Sequence, residues 1–334
     1  MALRHTFTPP FAIPASRRAW ATRRLQIKRQ LWDLLGDLPP RPVTPRVRTQ
    51  SRQRHDGYTL ERFTLENGSG VAVPGCLLLP EGATARRPVP AILYHHWHGG
   101  EYAIGKEALF QRTHTPVAPG PALARRGYAV LCIDAYGFGE RQGRGPGGTR
   151  ERGLAEELSA SKLQLWLGRS LWGMIVRDDV IALDYLASRG DIDARRIGAA
   201  GISMGATRTW WLMALDERVA AGVSIACLTR YQNLIAHEAL SAHGIYYYVP
   251  GMLRHFDTEA VVSTIAPRPA LFLNGDRDAG SPADGIRAIA SVARRVYRLY
   301  DRPRHFHSRI YPGVGHACTN DMWARTMSWL ERFV

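Results

Sequence analysis

The stretch "AAGISMGATRTWW", Ala199 to Trp211, sets a serine between two glycines in the pattern G-x-S-x-G. Spacing alone does not decide whether Ser203 is a nucleophile or an ordinary serine in a small-residue turn. A motif this short takes its meaning from the elements around it. Here "RRIGAAG" (195–201) reads as a strand, and a helix begins at Met204. Ser203 therefore stands at a strand-to-helix turn. Gly201 and Gly205 leave room for a sharp bend that lifts the hydroxyl above the sheet edge. The backbone N–H of Met204, at a helix N-terminus, points toward where an oxyanion would develop.

Working outward, the chain from Val89 onward alternates strand and helix. "VPAILYHHW" and "YAVLCID" read as buried strands, and a long helix runs from about Leu171 to Ser188, with apolar residues at three- and four-residue spacing. The strands "VAAGVSIAC", "PALFLNG" and "HSRIYP" follow, with helices near Ile286–Val296 and Asp321–Phe333. This order predicts an α/β fold, a mostly parallel central sheet flanked by helices. Ahead of it, "RVRTQSRQRH", "YTLERFTLEN" and "VAVPGCLLLP" read as antiparallel strands that extend the same sheet. The segment "GFGERQGRGPGGTRERG" (137–153) reads as an excursion loop leading straight to the long helix. Residues 1–45 form an N-terminal extension: an amphipathic helix that Ser16 can cap and Gly36 can end, then the Pro-rich linker "PPRPVTP". Residues 46–334 form the main domain, with a cap-like insertion near 228–266.

A serine hydroxyl needs a base to become nucleophilic, and the base needs an orienting acid. "LFLNGDRDAGSP" places Asp278 in a loop after a buried strand, and "RIYPGVGHA" places His316 after the next one. Asp276 competes with Asp278, and Asp278 is preferred because the loop needs several residues to bring a carboxylate back toward the histidine. His305 and His307 precede the last strand rather than follow it. A second oxyanion donor is expected from "HHWHGG", as the backbone N–H of Trp97 or His98, where Gly99 and Gly100 let the chain bend. His95, His96 and His98 raise the thought of a metal site, but no further ligand stands at a clear spacing, so no metal is expected. The insertion carries "SAHGIYYYVPGMLRHFD". Two readings stay open for His243, Tyr246 and Tyr247: they wall a substrate pocket, or they seal the core.

The net charge of +15 comes almost wholly from arginine, since Lys28, Lys106 and Lys162 are the only lysines. The arginines form doublets along the whole chain rather than one dense patch, which argues against a dedicated nucleic-acid surface. No apolar run is long enough to span a bilayer. Four cysteines form no C-x-x-C pair and sit mostly in apolar runs, and the opening twenty residues are broken by prolines and charges. Together these suggest a reducing, cytoplasmic setting without a membrane partner.

The stretches "HHWHGG", "RRGYAVLCIDAYGFGER", "ALDYLASRGDIDARRIGAAGISMGATRTWWLMALDERV", "PRPALFLNGDRDAGSP" and "YPGVGHA" resemble the α/β-hydrolase superfamily, in its dienelactone-hydrolase-like and acetylxylan-esterase-like branch. Two features depart from the branch: a serine replaces the dienelactone-hydrolase cysteine, and Trp97 stands where a glycine is expected. The resemblance implies a serine esterase with Ser203, Asp278 and His316 as its triad. It needs no cofactor and acts on a small-molecule ester, with a short-acyl or sugar ester in view. A peptidase or acyltransferase would use the same triad, and an anionic-polymer binder would use the basic charge instead.

Overall fold

The computed structural model describes residues 8–334, so the first seven residues of the expected 1–45 extension lie outside it. The strands are β1 (Arg46–His55), β2 (Tyr58–Glu66), β3 (Ala72–Pro80), β4 (Val89–His95), β5 (Ala129–Ile133), β6 (Ile192–Ile202), β7 (Val219–Ile225), β8 (Ala270–Gly275) and β9 (Phe306–Tyr311). They form one nine-stranded sheet in the order β1-β2-β3-β5-β4-β6-β7-β8-β9. The pairs β1–β2, β2–β3 and β3–β5 are antiparallel, and every pair from β5–β4 to β8–β9 is parallel. Hairpins join β1 to β2 and β2 to β3, whereas β3 and β5 are separated along the chain by β4 and α2. Each parallel pair needs a crossover, which helices supply.

The helices are α1 (Arg17–Leu35), α2 (Pro119–Ala124), α3 (Leu154–Trp166), α4 (Leu171–Ser188), α5 (Met204–Leu215), α6 (Tyr231–Ala236), α7 (Thr258–Ser263), α8 (Ala283–Leu299) and α9 (Asn320–Phe333). Successive strand residues point to opposite faces, so a sheet covered on both sides has continuous apolar strands. Leu93 and Leu131 join one core with Trp172, Trp210 and Ile289. Their neighbours Ile92 and Val130 join the other, with Leu123, Met322 and Leu330. Thus α2 and α9 cover one face, and α1, α4, α5 and α8 the other. None of the described helices is long and apolar enough to cross a membrane.

In α1 the Ser16 hydroxyl accepts the Ala19 N–H at 3.2 Å, and Gly36 ends the helix at φ 96°. Trp20, Ile27, Leu31 and Leu35 are buried against the main domain, so this extension is part of the core rather than an appendage. Sequence reasoning missed α3, which lies between the arginine-rich loop and α4. Its polar residues Glu156, Glu157, Ser161 and Gln164 are buried, whereas Leu154, Leu158 and Leu165 are exposed. An inverted pattern of this kind hides a helix from any reading that looks for an apolar face turned inward.

Candidate active site

The turn at Ser203 is built by what its neighbours lack. A Cβ on Gly205 would run into the His95 carbonyl, and one on Gly201 into the backbone of Gly205. Only glycines let β6 and α5 close so tightly on β4. Ser203 itself sits at φ 60°, ψ −126°, a region that costs an L-residue on the order of 1–3 kcal/mol. Its N–H donates to Ile225 O of β7 at 2.9 Å, which locks the bend to the neighbouring strand.

The loops after β8 and β9 are tied together next to this turn. Arg277 N–H donates to Val314 O at 2.9 Å, and Gly313 N–H donates to Asp276 Oδ1 at 2.7 Å. Asp276 thus shapes the loops. Asp278, in contrast, has its Oδ2 2.7 Å from His316 Nδ1, while its Oδ1 accepts the Gly280 N–H at 3.0 Å. His316 Nε2 lies 2.8 Å from Ser203 Oγ. The structure brings Ser203, His316 and Asp278 into one hydrogen-bonded line. Asp278 is buried at its base, and the imidazole is 43% exposed at the cleft. A carboxylate on Nδ1 fixes the tautomer that leaves Nε2 free to take the hydroxyl proton.

The histidine that ends β4 and the two in the loop after it are engaged separately. His95 Nδ1 meets Thr209 Oγ1 at 2.9 Å, and burial with the nearby Arg208 charge holds its pKa well below the usual value. His96 Nδ1 donates to Trp97 O at 2.8 Å and its Nε2 accepts the Ala135 N–H at 3.1 Å. Burial, then Arg208, depresses it likewise. His98 Nε2 donates to Glu157 Oε2 at 2.8 Å, and its Nδ1 accepts the Gly100 N–H at 3.0 Å. Among the described residues, no group of three or more His, Cys, Asp or Glu side chains is placed to hold a metal ion.

Ser203 opens onto a cleft of about 670 Å³, lined by His98, Gly99, Gly100, Met204, Cys227, His243 and Tyr246 among others. The backbone N–H groups of Trp97, His98 and Met204 donate to no acceptor among the described residues. His98 borders the cleft. Trp97 does not: its indole is buried and donates to Glu101 Oε2 at 2.9 Å. His243 Nε2 donates to Gly280 O at 2.7 Å, bracing the Asp278 loop, and burial lowers its pKa. Tyr246 stacks on the His98 ring, with centroids 4.9 Å apart. The expectation for Tyr247 needs correction. It is 2% exposed, lies flat against His243 at 4.1 Å, and lines no part of the cleft. Two aromatic rings cannot both face one pocket when one is the other's backing.

Glu157 of α3 escaped the sequence reading. One of its carboxylate oxygens takes both the His98 Nε2 proton and the Tyr102 hydroxyl, at 2.8 and 3.0 Å. Nothing in "LAEELSASK" marks this glutamate, because the signal is its burial, not its spacing.

The chain is 36% identical over 277 residues to "Putative hydrolase YtaP" of Bacillus subtilis (strain 168), covering 82% of this chain and 88% of that protein. Its fold is similar to that of a Bacteroides fragilis NCTC 9343 protein named "putative acetyl xylan esterase", with a TM-score of 0.72 at 19% identity over 91% of this chain and 79% of the other. It is also similar to a glucuronoyl esterase from Solibacter usitatus, with a TM-score of 0.70 at 16% identity over 97% and 98%. At such identities these likenesses concern the fold. Residues 6–323 match the Abhydrolase family, and by that coverage and the YtaP likeness the chain belongs to this family and has the α/β-hydrolase fold.

Proposed function

We propose that the chain is a serine hydrolase that cleaves a carboxylic ester through an acyl-enzyme. The observation that carries this reading is the line Ser203–His316–Asp278, at 2.8 and 2.7 Å, on the strained turn at the sheet edge. Ser203 Oγ attacks the ester carbonyl carbon as His316 Nε2 takes its proton. The tetrahedral oxyanion rests on the N–H groups of Met204 and of His98 or Trp97, each such donor being worth on the order of a hundredfold or more in rate. The carbonyl re-forms, the C–O bond to the alcohol breaks, and His316 returns the proton to the departing oxygen. A water then repeats the sequence on the acyl-enzyme and frees the acid. Asp278 keeps the imidazole oriented and balances the imidazolium.

His243 and Tyr246 wall the cleft and favour a compact acyl group, with the His243 and Ser241 side a place for a polar alcohol such as a sugar. The esterases among its structural neighbours support an ester over a peptide or an acyl acceptor. The four cysteines, all unpaired, suit a reducing cytoplasm.

A fluorophosphonate tests the reading. It is expected to label Ser203, with labelling lost in His316→Ala and turnover lost across an ester panel of graded acyl and alcohol size. Modification of another serine with Ser203 untouched would sink it.

A further inference from the structure

Among the described residues, eleven large hydrophobic side chains are exposed, and nine of them fall in just two segments: five at 154–167 and four at 235–248. The two segments adjoin, because α3 packs against the turn Ile245–Tyr247. Leu154 and Ile245, one from each, also line the cleft that holds Ser203. Leu154 and Ile245 therefore carry this apolar surface to the rim of the cleft, while Leu165, Trp166 and Leu167 extend it along α3 to the helix's far end. On α3 they follow the helical period, with Leu154, Leu158 and Leu165 along the outer side, and Trp166 is 89% exposed at its end. Soluble monomers rarely leave a contiguous apolar surface of this kind without a partner for it.

Charge narrows the partner. Segments 144–167 and 235–248 expose Arg144, Arg150, Arg152 and Lys162, none of them in an ion pair with a described carboxylate, against one exposed acid, Glu238. Lys162 lies on the outer side of α3, between Leu158 and Leu165. A second copy of the chain is disfavoured. A two-fold contact sets a patch against itself, so these cations would face the same four cations with little acid to answer them. Exposed leucines, a terminal tryptophan and unpaired cations instead match the boundary of an anionic bilayer, where tryptophan seats at headgroup level and basic side chains meet lipid phosphate.

We propose that this surface docks the protein on an anionic lipid membrane with the cleft mouth facing the lipid. Composition alone suggests no membrane partner; the proposal departs from that expectation on the strength of the inverted face of α3. Docking would offer the cleft amphiphilic esters whose acyl bond lies near the headgroups, a consequence that rests on the ester-hydrolase reading, whereas the docking itself does not.

The test is co-sedimentation of the full chain with vesicles of phosphatidylcholine alone and of equal parts phosphatidylcholine and phosphatidylglycerol. Binding is expected to the anionic vesicles only, with a blue shift of tryptophan emission, and to weaken as salt is raised. The double variant Leu165→Ser, Trp166→Ser and the triple variant Arg150→Glu, Arg152→Glu, Lys162→Glu should each lower binding at least tenfold while keeping turnover of a small soluble ester. Undiminished binding by the Leu165, Trp166 variant would reduce the effect to the general +15 charge and overturn the proposal. So would absence of vesicle binding by a fully active protein, or a lipid-free dimer that Trp166→Ser dissolves. Vesicle binding without turnover of any ester would overturn only the hydrolase reading.

Discussion

Asp276 and Asp278 are two positions apart and do different work. Asp276 accepts a backbone N–H from Gly313, and Asp278 faces the His316 ring. Asp278→Asn should therefore lower kcat by on the order of a thousandfold or more, because an amide no longer selects the right imidazole tautomer. Asp276→Asn keeps a carbonyl oxygen for Gly313 and should cost less than tenfold. Steady-state kinetics on one short-chain ester separate them, and the reverse order would show that the wrong carboxylate has been assigned. Glu157 is a positioning residue. Glu157→Ala should free the His98 ring and loosen the loop that carries the proposed oxyanion donors. We expect kcat to fall ten- to a hundredfold with KM nearly unchanged, and Glu157→Gln, which still accepts the His98 proton, to recover most of it. A loss confined to melting temperature would leave Glu157 a purely structural anchor. That Ser203, Asp278 and His316 come together was legible because each sits just past a strand, in the order that the proposed triad requires. Glu157 was not, since no periodicity announces a carboxylate that turns inward.

Elements differ in the same respect. The strands and α4 declare themselves through period and apolar run, and α4 spans Leu171–Ser188 just as its spacing indicates. In α3 the leucines point outward, so periodicity places its face on the wrong side. The insertion between β7 and β8 is a third case. Its aromatic residues divide by depth, with His243 and Tyr246 at the cleft and Tyr247 behind them, and a linear sequence of three tyrosines carries no such depth. Tyr246 is buried too, in the same core cluster, so Tyr246→Ala should both change the ranking of acyl lengths and lower the melting temperature. Tyr247→Ala should likewise lower stability by about 3–5 kcal/mol, as for other buried aromatic truncations, but with the ester ranking kept in whatever folds. Thermal melts and the ester panel read both outcomes.

For the molecule as a whole, His95 and His96 at the centre of the sheet set an acid limit. Burial and the neighbouring Arg208 hold both pKa values well below the ordinary 6.5, so the folded chain keeps these rings neutral. The unfolded chain takes up their protons once pH drops below about 6.5. Stability should therefore be full above that value and decline below it, by up to about 1.4 kcal/mol per pH unit for each histidine. Melting temperatures recorded from neutral pH to about 5 should fall accordingly, and a flat profile would contradict the burial of these rings.

The reacting line also has a history within each molecule. Ser203 precedes its base by 113 residues, and the acid lies between them. At a synthesis rate of about 5–20 residues per second, the serine is polymerised roughly 6–23 seconds before His316. During that interval the strained turn has no proton acceptor, and the nascent chain carries an inert alcohol. On the proposed triad, reactivity is switched on only when β9 and its loop join β8, so a chain cut short by premature termination before that point should be chemically silent.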